Sequence, residues 1–173
     1  PFILLIHDWD GLTDYEKKRA DMLATVGYNV FAADMFGADI RPTKLEDKKR
    51  LTSTLYDDRS KMRRILAGAL NTGQAQGNNV RAGVTMGYCF GGSVALELAR
   101  SGFEQKAFVP FHGGLETPVG QNYKNVKGEI LVFHGSADEA VPIEDFQALN
   151  KTLEAAKVPH EMISYSGAVH AFT

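Results

Sequence analysis

Short apolar and β-branched runs punctuate this chain at Phe2–Ile6, Tyr28–Ala32, Val80–Met86, Ala107–Phe111, Ile130–Phe133 and Met162–Tyr165. Most are continuous rather than alternating, the pattern of strands buried on both faces. Between them the spacing turns helical. Thr13 can cap a helix with Glu16 three residues on, Tyr15, Met22, Leu23 and Val26 supply its apolar positions, and Gly27 supplies the stop. From Leu45 to Leu70, the residues Leu51, Leu55, Met62, Ile65, Leu66 and Ala69 recur at mostly helical spacing, as one helix or two, and Asn71 to Asn79 reads as a Gly, Asn and Gln loop. Ser93–Arg100 is nearly apolar all round and reads as a buried helix. Pro142–Ala156 carries Phe146, Leu149, Leu153 and Ala156 on one stripe, with Pro142 in the first turn and Glu144 and Asp145 near the positive end. Strands alternating with such helices build βαβ units with right-handed crossovers. The expected fold class is therefore α/β: a mostly parallel, doubly wound sheet of about six strands with helices on both faces.

Composition narrows this picture without redirecting it. A chain of 173 residues suits one domain, residues 1–173, and apolar and charged fractions of 44% and 23% are ordinary for a globular protein. Pro1 runs straight into a strand and no closing helix follows His170, so further N-terminal strands and a C-terminal helix are expected outside this sequence. Lys and Arg number 19 against 21 Asp and Glu, which leaves no positive field for a phosphate backbone, and no nucleic-acid partner is expected. The charged segment Arg41–Arg50 reads as a solvated loop and helix start. No apolar stretch approaches the roughly 20 residues that cross a bilayer, so no membrane partner is expected either. Cytoplasmic is the default location; a leader before Pro1 would make it periplasmic or secreted. Five histidines without close pairing and a single cysteine offer no metal set, and no metal or cofactor is expected.

That single cysteine is either a buried filler or a reagent. Cys89 follows the Val80–Met86 run inside Gly87-Tyr88-Cys89-Phe90-Gly91-Gly92, directly before a helical segment. In a parallel sheet the reactive groups collect at the carboxyl ends of strands. Gly-x-Cys-x-Gly at such a place is a nucleophile elbow with Cys for Ser, its glycines letting strand and helix approach around a strained turn. A thiol at a helix start also meets the positive end of the dipole, which favours thiolate. The Phe90 N–H is the natural first donor to an oxyanion. Acyl chemistry needs a proton carrier and its orienter as well. Asp138 follows the Ile130–Phe133 run, and His170 follows Met162–Tyr165. The chain order Cys89, Asp138, His170 is that of α/β-hydrolase triads, with His170 as the proton shuttle and Asp138 fixing its tautomer. Plainer readings exist: Asp138 as a cap for the helix at Pro142, His170 as a loop histidine, and His7, His134 and His160 as structural or surface groups. His112 can line the pocket or simply pack. Tyr88 and Trp9 flank the expected site and can shape an apolar wall.

Taken together, His7-Asp8-Trp9-Asp10-Gly11-Leu12, Gly27-Tyr28, Gly87-Tyr88-Cys89-Phe90-Gly91-Gly92, His134-Gly135-Ser136-Ala137-Asp138 and Gly167-Ala168-Val169-His170-Ala171-Phe172 resemble the dienelactone hydrolase (carboxymethylenebutenolidase) family over essentially the whole chain. The resemblance implies an α/β-hydrolase fold and cofactor-free cleavage of a small-molecule lactone or ester through a thioester. It also implies that the Trp9 N–H is the second oxyanion donor. Asp8 stands where the family carries a Glu that interacts with the resting thiol, and Arg50 is the nearest candidate for a substrate-carboxylate arginine, with Arg41 and Arg59 as others. Two alternatives remain open in the sequence: a general esterase or thioesterase, and a non-catalytic binding protein on the same fold.

Overall fold

Five consecutive apolar residues, Phe2–Ile6, form strand β1, and all five are buried. The computed structural model describes residues 1–173. The remaining strands are β2 (Asn29–Ala33), β3 (Val84–Tyr88), β4 (Glu104–Phe111), β5 (Lys127–Gly135) and β6 (His160–Tyr165). They form one sheet of order β2-β1-β3-β4-β5-β6, every neighbouring pair parallel. Helices α1 (Asp14–Thr25), α2 (Leu45–Asp57), α3 (Arg59–Ala75), α4 (Phe90–Arg100) and α5 (Ile143–Ala156) connect and cover the strands. Because all strands run the same way, the segments after β1, β3, β4, β5 and β6 open on one edge, where chemistry gathers in such sheets. Burial of Leu4, Leu5 and Ile6 to 0% exposure explains the unbroken apolar run, and each contributes about 1.5–3 kcal/mol.

Several boundaries differ from the sequence reading, each for a tertiary reason. Val80–Ala82 is a 3-10 turn held by the Asn79 side chain on the Ala82 N–H at 3.2 Å, and β3 begins only at Val84. Its last residue is Tyr88, so Cys89 follows the strand at once. Helix α3 runs on to Ala75, through part of the expected loop. Gly73 is there because a side chain would meet the Phe2 ring at 2.8 Å, so this glycine marks close helix-to-strand packing and not a turn. Helix α1 has the predicted Thr13–Glu16 capping box, yet Met22 and Val26 are exposed and its one buried residue is Glu16. Pro142 is the residue before α5, and not within its first turn.

Helix α4 is buried along its whole length, including two charged residues that its apolar pattern does not advertise. Glu97 accepts hydrogen bonds from Arg63 Nε at 2.8 Å, Arg100 Nη2 at 2.9 Å and Arg59 Nη1 at 3.2 Å. Gln121 Nε2 reaches both carboxylate oxygens, and Arg100 Nη1 donates to the Tyr123 hydroxyl at 2.8 Å. Burial pushes the Glu97 carboxyl up, but Arg100, then Arg63 and Gln121, outweigh it and hold the pKa below the usual value. This ion cluster joins α3, α4 and the segment between β4 and β5. Glu97→Ala leaves the buried Arg100 guanidinium without its counter-charge and is expected to destabilise by about 3–5 kcal/mol, measured by denaturant unfolding. A loss under about 1 kcal/mol would mean that the cluster does not hold these elements together.

Candidate active site

The turn from β3 into α4 is built by backbone contact. A side chain on Gly87 would collide with the Gly91 carbonyl, and one on Gly91 with the carbonyls of Ile6 and His7. Cys89 sits between them at φ 50, a left-handed backbone for a residue with a side chain. Its N–H donates to the Phe111 carbonyl at 3.0 Å, and its carbonyl accepts from Gly92 and Ser93, the first turn of α4. The thiol is thereby turned toward the sheet's carboxyl edge.

Three residues predicted from the sequence meet there. His170 Nε2 lies 3.2 Å from Cys89 Sγ, and His170 Nδ1 lies 2.8 Å from Asp138 Oδ2. The other carboxylate oxygen of Asp138 accepts the N–H groups of Ala140 and Val141, both at 2.9 Å. Asp138 therefore does both things the sequence allowed, organising the turn before α5 and binding the imidazole. Burial pushes its carboxyl up, but Val141, His170 and Ala140 outweigh that and hold it below its usual pKa. With Asp138 ionised, the proton of neutral His170 belongs on Nδ1 and Nε2 is free to accept one from the thiol. The network assigns this tautomer.

The thiol itself departs from expectation. Helix position favours thiolate, yet burial pushes Cys89 up to about 11, the Phe90 N–H opposes this, and the charges of Asp8 and Asp138 reinforce it. Desolvation wins because the sulfur is enclosed and two carboxylates stand near it. A pKa raised in this way favours the thiol form of Cys89 at neutral pH, within hydrogen-bond reach of His170 Nε2.

The flanking candidates separate into near and far. Asp8, half-buried, accepts the Asp10 N–H on Oδ1 at 2.7 Å, and burial pushes its carboxyl up to about 6. Trp9 is partly exposed, with Lys48 Nζ 5.6 Å from its ring centre. Tyr88 is buried in the sheet, stacked on Phe111 at 5.3 Å, and forms a floor beneath the site. His112, buried at φ 39, sets its ring 5.1 Å from that of His170 and pairs through Nε2 with the Thr173 hydroxyl at 2.9 Å. Burial, then His170, lowers its pKa to about 4. Arg50 stands on the solvent side of α2, paired with Asp47 at 3.0 Å, and Arg41 pairs with Asp34 at 3.0 Å. Of these three arginines, Arg59 faces a cavity. It lines, with Tyr56, Ser93, Arg100, Glu116 and Asp145, a cavity of about 450 Å³ that begins one helical turn from Cys89. Tyr56 was invisible in the sequence, where it looked like one more residue of an amphipathic helix; its ring packs 5.6 Å from Phe90. His134 is fully buried without a hydrogen-bond partner and stacks on Phe146, as a structural group. His160, read as surface, is instead half-buried and ties the Val158 carbonyl to Asn150.

A six-stranded parallel sheet with a reactive-residue elbow after a central strand, and imidazole and carboxylate on later post-strand loops, is an α/β-hydrolase. Similarity narrows the class: residues 1–173 match the profile described as "Dienelactone hydrolase family", and the chain belongs to that family of hydrolases. A crystal structure described as a dienelactone hydrolase-like promiscuous phosphotriesterase, P91, from metagenomic libraries, is 34% identical with a TM-score of 0.91, over 100% of this chain and 72% of that one. A structure named m3DLH is 33% identical with a TM-score of 0.93, over 99% and 72%. The carboxymethylenebutenolidase of Rhodococcus opacus is 28% identical over 184 residues, 98% of this chain and 69% of that protein.

Because Asp8 is ionised above about pH 6 and its charge raises the thiol pKa, Asp8→Asn is expected to increase iodoacetamide alkylation of Cys89 at pH 8 by roughly two- to tenfold. The gain should vanish below about pH 6, where Asp8 already carries its proton. An unchanged or slower rate at pH 8 would separate Asp8 from the thiol.

Proposed function

We propose that this chain hydrolyses small-molecule lactones or carboxylic esters through a thioester on Cys89. The observation that carries the reading is the continuous hydrogen-bonded line from Cys89 Sγ through His170 to Asp138, with steps of 3.2 Å and 2.8 Å. His170 Nε2 takes the thiol proton as sulfur bonds to the carbonyl carbon. The carbonyl electron pair moves onto oxygen, which the N–H groups of Phe90 and Trp9 receive. The pair returns, the carbon–oxygen bond of the ester breaks, and the departing alkoxide takes the proton from His170. In a lactone that alkoxide stays tethered as the ring opens. His170 next removes a proton from water, whose oxygen attacks the thioester; collapse expels the Cys89 sulfur, which recovers its proton, and releases the acid. Asp138 stabilises the imidazolium in both halves. The elevated thiol pKa makes His170 necessary in the first step.

The cavity beside Ser93 accommodates the acyl or leaving group. A second reading, a general esterase favouring neutral substrates, draws support from the arginines: Arg59 and Arg100 are both engaged by Glu97, and Glu116 and Asp145 share the cavity wall.

Turnover of dienelactone, short aryl esters and thioesters by the chain and by Cys89→Ala tests the nucleophile. Cys89→Ala is expected to lower kcat by on the order of 10⁶-fold, and Asp138→Asn by about 10⁴-fold. Unchanged turnover in Cys89→Ala would remove the thioester pathway. A matched pair of aryl esters with and without an acyl carboxylate is expected to favour the neutral member; a roughly tenfold preference for the anionic one, about 1.4 kcal/mol, would instead support lactone carboxylates as substrates.

A further inference from the structure

We propose that His7 is a positioning residue of the oxyanion hole: its Nδ1–H holds the Asp8 carbonyl and so aims the N–H of the same peptide, that of Trp9, at the oxyanion. The inference rests on the thioester reading above and adds a residue to it. His7 is fully buried at the end of β1, between the rings of Phe36 and Phe90. Its two nitrogens have different partners. Nε2 receives the Met35 N–H at 2.9 Å, so it carries the lone pair of a neutral ring. The proton therefore sits on Nδ1, which lies 2.5 Å from the Asp8 carbonyl oxygen. Burial lowers the His7 pKa, which keeps the ring in this neutral form.

The Asp8 carbonyl and the Trp9 N–H belong to one trans peptide and point in opposite directions. Fixing the first fixes the second. Gly11 N–H adds a longer contact to the same carbonyl at 3.5 Å, whereas the Trp9 N–H donates to no backbone carbonyl and is left for a ligand. The peptide lies beside the elbow, because Gly91 is packed against the Ile6 and His7 carbonyls. A flipped peptide would present a carbonyl to the developing negative charge in place of a donor.

Two variants divide the ring's functions. Asn places a donor where Nδ1 is, and Gln places an acceptor where Nε2 is. His7→Gln is expected to lower kcat by about 10- to 100-fold with KM and the iodoacetamide alkylation rate of Cys89 unchanged, because alkylation develops no oxyanion. His7→Asn should stay within about threefold of the parent kcat even where its melting temperature falls. Full activity in His7→Gln, equal losses in both variants, or a parallel loss of alkylation would overturn the proposal. ¹⁵N NMR of the unmodified protein provides a measurement that needs no variant to fold: a neutral His7 protonated on Nδ1 is expected, and protonation on Nε2 at neutral pH would overturn it. Failure of the thioester reading would show separately, as turnover surviving in Cys89→Ala while the His7 tautomer is as expected.

Discussion

Strand β3 and helix α4 meet backbone to backbone, and the site depends on that contact. Gly87 lies against the Gly91 carbonyl and Gly91 against the carbonyls that end β1. Any Cβ at either position would drive the helix away from the sheet. The same approach forces Cys89 into its left-handed backbone, a strain of about 1–3 kcal/mol. The burial of all of α4 offsets it, and the cluster around Glu97 anchors that helix to α3 and to the segment before β5. The elbow also brings the first turn of α4 beside the loop after β1. His7 and Asp8 thereby become neighbours of Phe90 and Cys89, some eighty positions away in the chain.

Burial then sets the protonation states, and identical side chains diverge. Asp138 receives two backbone N–H groups and an imidazole, so it remains a carboxylate despite being enclosed. Asp8 receives one N–H and is pushed toward its neutral form. One carboxylate is equipped to stabilise a charge that appears on His170, whereas the other adds to the cost of charging the sulfur. Burial, reinforced by these charges, raises the Cys89 pKa and favours its thiol form, so the proposed chemistry draws on His170 to take the proton. His112, enclosed and lowered in pKa, sets a neutral ring 5.1 Å from this imidazole.

Much of this was legible in the chain before folding. Alternating buried strands and helices, the Gly-x-Cys-x-Gly-Gly turn, and the Cys, Asp, His order identify an α/β-hydrolase, because each rests on a local steric or periodic requirement that the residues display in place. Asp138 and His170 could be chosen over other Asp and His residues because they follow strands beyond the elbow in the chain order Cys, Asp, His. What local pattern could not supply was anything set by distance across the fold. Arg50 looked a better candidate than Arg59, but α2 turns one to solvent and the start of α3 turns the other to Glu97 and the cavity. Gly73 looked like a loop residue because its partner, Phe2, is far away in sequence. The state of the Cys89 thiol was misjudged for a related reason. A helix start is visible in sequence, but the enclosure that outweighs it and the nearness of Asp8 come only with the tertiary packing. Sequence by itself determined which elements form and which residue types stand at the strand ends. Tertiary structure decided which of those residues touch, which are dry and which are charged, since desolvation and Coulomb interaction depend on neighbours that the chain order does not record.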